Sequence, residues 1–247
     1  MNIIIERTMR LIRVGNIKNL QKEKIINSWK SVVSIHETTL RPPQRSALFK
    51  CLEYDVNIES ESNPVIINMP TGTGKTGVIA SLIFKSEFKR TLVVVPSDAL
   101  RNQISNDLID IEKYISWKVI PDSSEQPTVS KLESGGINKI ASEQIEENFV
   151  IVATSQILNS FKDEELGNFL NNFERLIFDE AHHSEAPTWN RIRKNFNDRK
   201  KKIFQFTATP YRGDGKKLEG DLIYQYSVSK AFEAGIFEKI QFKEVKE

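Results

Sequence analysis

Five short apolar runs limit the folds open to this chain more than any other feature: Val65–Asn68, Thr91–Val95, Phe149–Ala153, Arg175–Phe178 and Ile203–Phe206. Each is four or five residues long, rich in Val, Ile and Phe, and barely alternates with polar residues. Such runs suit strands buried on both faces. Longer helical patterns lie between several of them. After Ser97-Asp98, the residues Leu100, Ile104, Leu108, Ile111 and Ile115 recur at spacings of four, four, three and four. That predicts one helix face, with Ser97 or Asp98 as its N-cap. Strands alternating with helices imply right-handed crossovers and an α/β fold: a mostly parallel sheet with helices on both faces. In such sheets ligands bind beyond the carboxyl ends of the strands. The residues at those ends are therefore the candidates for function.

Composition narrows the class. The chain has 247 residues, with 35 Lys+Arg against 33 Asp+Glu and a formal net charge of +2. That balance argues against non-specific coating of nucleic acid and leaves room for a local basic groove. The one cysteine, Cys51, cannot form an intramolecular disulfide, which fits a reducing, cytoplasmic setting. No apolar run approaches the ~18 residues of a membrane span. Glu6, Arg7, Arg10 and Arg13 interrupt the N-terminal stretch, so it does not read as a signal peptide. Glu53 to Asn63 and Pro121 to Asn148 are polar and read as surface excursions; Asn197 to Lys202 reads as a basic turn.

The first strand end carries Met69-Pro70-Thr71-Gly72-Thr73-Gly74-Lys75-Thr76, followed by a helical stretch. Glycines let a backbone wrap a phosphate chain and aim its N–H groups inward, and the helix adds the positive end of its dipole. Lys75 would reach the β- and γ-phosphates and the Thr76 hydroxyl would hold Mg²⁺. The strict pattern has Gly at the position of Met69. The fourth run ends in Asp179-Glu180-Ala181-His182-His183. Two carboxylates at a buried strand end need a positive partner, and a magnesium ion on phosphates is a natural one. Asp179 would act on the metal, and Glu180 would orient and deprotonate the attacking water. His182-His183 also admits a zinc site or simple interior packing. The fifth run ends in Thr207-Ala208-Thr209-Pro210-Tyr211-Arg212, a weak pattern alone. Upstream, Gln44 offers a donor and an acceptor suited to an adenine edge, or is a solvated residue at a helix start.

In this order, Leu40–Gln44, Pro70–Thr76, Val95–Gln103, Val152–Leu158, Asp179–His182 and Thr207–Pro210 resemble the motifs of superfamily 2 helicases and translocases. The Asp-Glu-Ala-His-His and Thr-Ala-Thr-Pro-Tyr-Arg segments look most like the branch of type III restriction-enzyme motor subunits. The resemblance covers residues 40–242 and implies a RecA-like first motor domain, preceded by an extension over 1–39 with no counterpart. It implies ATP and Mg²⁺ as ligands and nucleic acid, duplex DNA above RNA, as partner. Carried over by position, it implies nucleotide binding by Arg41, Gln44, Thr71, Gly72, Thr73, Gly74, Lys75 and Thr76. Thr76 and Asp179 would serve the metal, with Lys75, Asp179 and Glu180 catalytic. His182, Thr207 and Thr209 would couple hydrolysis to domain movement. Pro96, Ser97, Arg101, Thr154 and Ser155 match segments that grip the nucleic-acid backbone, although Ser97 also reads as a helix cap and Arg101 as a solvated helix residue.

The family carries a second RecA-like domain whose arginines complete the ATP site. Only 35 residues follow Arg212, too few for such a domain, so the expectation is half a motor with weak turnover by itself. The second domain would come in cis or in trans. A different class of function also fits: a nucleotide-dependent switch that docks on a partner and does little chemistry. Arg191 to Lys202 carries seven basic residues against Asp198, and Arg7 to Lys30 carries seven against Glu23. Each cluster reads as a phosphate-binding patch or a solvated face, with Lys200, Lys201 and Lys202 the phosphate candidates.

Overall fold

The computed structural model describes residues 24–25, 27–30, 34–57, 63–85, 90–133, 148–183, 186–196, 201–211 and 215–237. Helix α1 (Pro42–Val56) leads into strand β1 (Val65–Asn68). Then come α2 (Lys75–Lys85), β2 (Thr91–Val95), α3 (Asp98–Ile109), α4 (Glu112–Ser116), β3 (Val129–Lys131) and β4 (Val150–Thr154). The chain continues through α5 (Ser155–Asn159), α6 (Asp163–Leu170), β5 (Arg175–Phe178), α7 (Ala186–Asn195), β6 (Lys202–Thr207), β7 (Asp221–Gln225) and α8 (Val228–Glu233). The strands form one seven-stranded sheet, ordered β3-β4-β2-β5-β6-β1-β7, in which every neighbouring pair is parallel. All five expected strands are present, each within one residue of its expected ends.

Every residue of β1, β2, β4, β5 and β6 is buried, because helices cover both faces. Successive side chains enter opposite cores. Val65 and Ile67 join Val93, Val152 and Phe204 with residues of α1, α2 and α3. Ile66 lies on the other face with Leu92, Ile151 and Leu176, against α6 and α7. Three strands, β5, β6 and β1, lie side by side, so their carboxyl ends bring the segments after Phe178, Thr207 and Asn68 together.

Two expectations change. The single helix face predicted from Leu100 to Ile115 is two helices, because Asp110 caps α3 and a second short helix starts at Glu112. The polar excursion after Pro121 contains β3, whose three residues are all half-buried. The stretch before residue 40 is partly built into the domain. Trp29 is buried in the first core, its ring centroid 5.2 Å from that of Phe84 and 5.4 Å from that of Phe149. Its indole N–H donates to the Glu125 carbonyl at 2.6 Å.

Candidate functional site

From the end of β1 the chain turns through residues 69–74 into α2. Gly72 and Gly74 have φ of +82° and +91°, a region that glycine enters without steric penalty. At Gly74 a side chain has no room, since a Cβ would stand 2.3 Å from Gln44 Nε2. The buried Thr73 hydroxyl donates to the Pro70 carbonyl at 2.6 Å and closes the turn. Met69, at the position where the strict pattern has Gly, needs no glycine: its φ is not positive, and its N–H donates to the Thr207 carbonyl at 2.9 Å. Thr71 and Gly72 are exposed at the crest of the loop, and Thr76 is half-buried in the first turn of α2.

Lys75 is almost completely buried. Its Nζ lies 2.9 Å from Glu180 Oε1 and donates to the Met69 carbonyl at 3.3 Å. The Asp179 N–H donates to the Val94 carbonyl at 2.9 Å and so extends the β5–β2 pairing by one residue. Glu180 then takes a φ of +52°, one of two positive values among the described non-glycine residues. A left-handed backbone at a non-glycine residue costs about 1 kcal/mol and is often found at functional sites. It sets the two carboxylates side by side, with the Glu180 N–H donating to Asp179 Oδ1 at 3.1 Å. Burial, and then the Glu180 charge, push the Asp179 carboxyl up to about 6, against the opposing pull of Lys75.

These residues fit a divalent cation carried on a phosphate chain. Glu180 Oε2 is buried and makes no hydrogen bond, and Asp179 is disfavoured as an anion. Added positive charge relieves both. Among the described residues there is no cluster of three His, Cys, Asp or Glu that holds a metal unaided.

The segment after β6 meets this pair. The Thr207 hydroxyl donates to the Thr209 carbonyl at 2.5 Å and accepts the Thr209 N–H at 3.2 Å. Its proton is therefore committed, so His182 Nδ1, 3.0 Å away, must be the donor between the two. That fixes the His182 tautomer. The same nitrogen lies 3.4 Å from Glu180 Oε2. Thr209 itself is exposed. The His183 side chain and Arg212 lie outside the described residues.

Gln44 is buried rather than solvated. Its Oε1 accepts the Arg41 N–H at 3.0 Å, and its Nε2 donates to the Gly74 carbonyl at 3.1 Å. An amide so held retains one lone pair and one hydrogen, the pair of functions that an adenine N6/N7 edge matches.

The backbone-gripping candidates separate. Ser97 caps α3, accepting the Leu100 N–H, and Thr154 caps α5, accepting the Ile157 N–H, each at 3.3 Å. Pro96 and Ser155 are half-buried beside them. Arg101 is not solvated: it is buried, donates to the Leu132 carbonyl at 2.6 Å and lies 3.2 Å from Asp98 Oδ1. The basic cluster is also corrected. Lys202 is buried and donates to the Asn57 carbonyl at 2.6 Å, and Lys201 donates to the Leu170 carbonyl at 3.2 Å. Arg191 binds Asp163, Arg193 binds Glu219, and only Lys194 is exposed among the cluster's described residues. Among the cluster's described residues, Arg191, Arg193, Lys201 and Lys202 are held by partners in the fold. Arg199, Lys200 and the cluster's counterpart from Arg7 to Lys22 lie outside the described residues. Sequence reasoning missed the contact of Phe237, whose ring carbon stands 3.4 Å from a Cβ placed on Gly72; no local pattern marks it.

Comparison with known proteins places the chain in a family. The family described as "Type III restriction enzyme, res subunit" matches residues 37–212. The irc3 protein of Schizosaccharomyces pombe, named as a candidate mitochondrial ATP-dependent helicase, is 29% identical over 185 residues. That match covers 72% of this chain and 27% of the relative. Among solved structures, a nuclease-deletion mutant of the Type ISP restriction-modification enzyme LlaGI, in complex with a DNA substrate mimic, aligns with a TM-score of 0.53 at 20% identity. It covers 80% of this chain and 21% of that one, and its likeness concerns the RecA-like fold. The chain thus spans about a quarter of the length of these relatives.

Proposed function

Because the chain belongs to the type III restriction enzyme res subunit family of superfamily 2 helicase motors, we propose that it binds Mg²⁺·ATP and couples its hydrolysis to movement on DNA. The observation that carries this reading is the meeting of Lys75 with Glu180 at 2.9 Å, beside the destabilised Asp179. The loop of residues 70–74 and Lys75 bind the phosphates, and the Thr76 hydroxyl and Asp179 hold the metal. Bound Mg²⁺ supplies positive charge on the phosphate oxygens as the transferred group separates. Once the phosphates draw Lys75 away, the Glu180 carboxylate is released to orient a water and take its proton. His182 donates between Thr207 and that carboxylate's neighbourhood, which gives Thr207 and Thr209 a route to sense the state of Glu180.

A second RecA-like domain, in cis or in trans, supplies the arginines that complete the transition state, and this chain alone turns ATP over weakly. The track is duplex DNA, and the setting is the cytoplasm; no helix among the described residues is long and apolar enough to cross a membrane. The test is steady-state ATP turnover alone and with duplex DNA, single-stranded DNA and RNA, on the chain with and without its second domain. Stimulation by duplex DNA is expected, and Glu180→Gln abolishes it. Mg²⁺·ATP binding with no turnover under any of these conditions would favour the nucleotide-dependent switch instead.

A further inference from the structure

Edge strand β3 is held at both of its ends by contacts remote in sequence. At the carboxyl end, the Leu132 carbonyl accepts Arg101 Nη1 at 2.6 Å, and the Leu132 N–H donates to the Val152 carbonyl at 2.8 Å. At the amino end the holding residues precede the segment that matches the family, which begins at residue 37. The Glu125 N–H donates to Ser28 Oγ at 2.9 Å, and the Ser124 hydroxyl donates to the Ser28 carbonyl at 3.0 Å. The Trp29 indole N–H donates to the Glu125 carbonyl at 2.6 Å. Lys24 Nζ adds an exposed ion pair with Glu125 Oε1 at 2.9 Å.

Between Glu125 and Thr128 stand only Gln126 and the buried Pro127, whose ring fixes its φ and stiffens the connection. The Thr128 carbonyl accepts the N–H groups of Phe149 and Val150 at 3.0 and 3.2 Å, where β3 and β4 begin to pair. Trp29 reaches the same junction a second time, through the Phe149 ring. β3 itself has three residues, all half-buried, and lies at the edge of the sheet. A strand with so few buried contacts has low local stability, so what holds its ends decides whether it stays paired. Beyond the carboxyl ends of β2, β3 and β4 lies a cavity of about 530 Å³, lined by Arg101, Glu133, Thr154, Gln156 and Ser160 among others. Glu133 follows β3 directly, so the position of β3 sets that wall.

We propose that residues 24–30 are a strap: they fasten β3 into the sheet, and through it hold the Glu133 wall of this cavity against Arg101. The functional consequence rests on the reading above, in which Thr154 serves the DNA track. Loosening the strap then weakens duplex binding. It leaves the nucleotide site unchanged, since that site lies on the other side of β5.

The experiment measures amide hydrogen exchange on the whole chain, with dissociation constants for duplex DNA and Mg²⁺·ATP, in wild type, Ser28→Ala and Trp29→Phe. Ser28→Ala removes the acceptor of the Glu125 N–H. Trp29→Phe removes the indole donor and keeps an aromatic ring in the core, so the fold survives both changes. Exchange over residues 124–132 should quicken by about tenfold, with β1 and α2 unchanged. Unaltered exchange over 124–132 in both variants, or equal acceleration throughout the sheet, would overturn the strap. Duplex affinity should fall several-fold while Mg²⁺·ATP affinity holds. Quickened exchange with undiminished duplex affinity would overturn the step from strap to track. A wild type that binds no duplex DNA would remove the track reading, and the exchange result would still decide the strap.

Discussion

Lys75 and Glu180 neutralise each other in a buried setting, and each substitution there has a distinct outcome. Lys75→Ala removes the proposed phosphate ligand and leaves the Glu180 carboxylate without its counter-charge. Mg²⁺·ATP affinity should fall by more than ~100-fold, and the melting temperature should fall with it. Glu180→Gln keeps a hydrogen-bonding acceptor for Lys75, so binding persists while turnover stops. Asp179 carries a pH signature. Its carboxyl sits near 6 in the folded chain against an ordinary 3.8, so the native state holds that proton more tightly than the unfolded state does. Its contribution to stability is therefore most favourable below about 4, declines as pH rises towards 6, and stays low above that. Asp179→Asn should stabilise the metal-free protein at pH 7.5 by roughly 1–3 kcal/mol. Denaturant melts in a chelator should show that gain vanish near pH 4. At Gly74 two penalties coincide. Gly74→Ala collides with Gln44 and is strained at its φ of +91°. Adding Gln44→Ala should restore only part of the lost stability, because the backbone strain remains.

Helix α1 links the site to the far end of the sheet. Its first turn holds Gln44 on the phosphate loop, and its last turn holds Asp55, which receives Arg175 Nη2 at 2.8 Å and Nε at 3.3 Å. Both side chains are fully buried. Removing one partner leaves an uncompensated interior charge, so Arg175→Ala should cost about 3–5 kcal/mol, read from denaturant midpoints. At this scale the sequence was partly legible. The five central strands stood out because burial on both faces makes them apolar throughout. The phosphate loop and the Asp179–Glu180 pair stood out because their chemistry depends on spacing within a few residues. Edge strand β7 did not, since its residues are exposed or half-buried and it lacks the uniformly apolar run of the central strands. The break at Asp110 was hidden because the apolar spacing runs on across it into α4. The basic residues misled because their partners are remote: Lys202 meets Asn57, 145 residues away, and Arg191 meets Asp163, 28 away.

For the molecule as a whole, the sheet order gathers three strand ends, after β1, β5 and β6, into one cluster, the proposed phosphate site. The nucleic-acid candidates Ser97 and Thr154 stand at the ends of β2 and β4, on the other side of β5. On the proposed reading, hydrolysis and track would be served by different parts of the same sheet edge. The segment joining them is the one bearing Glu180 and His182. The measurement that tests this account most directly is Mg²⁺·ATP binding by calorimetry on wild type, Lys75→Ala and Glu180→Gln. The account predicts saturable, Mg²⁺-dependent binding by wild type and Glu180→Gln, and none by Lys75→Ala. Absence of binding by the folded wild type, or undiminished binding by Lys75→Ala, would contradict it.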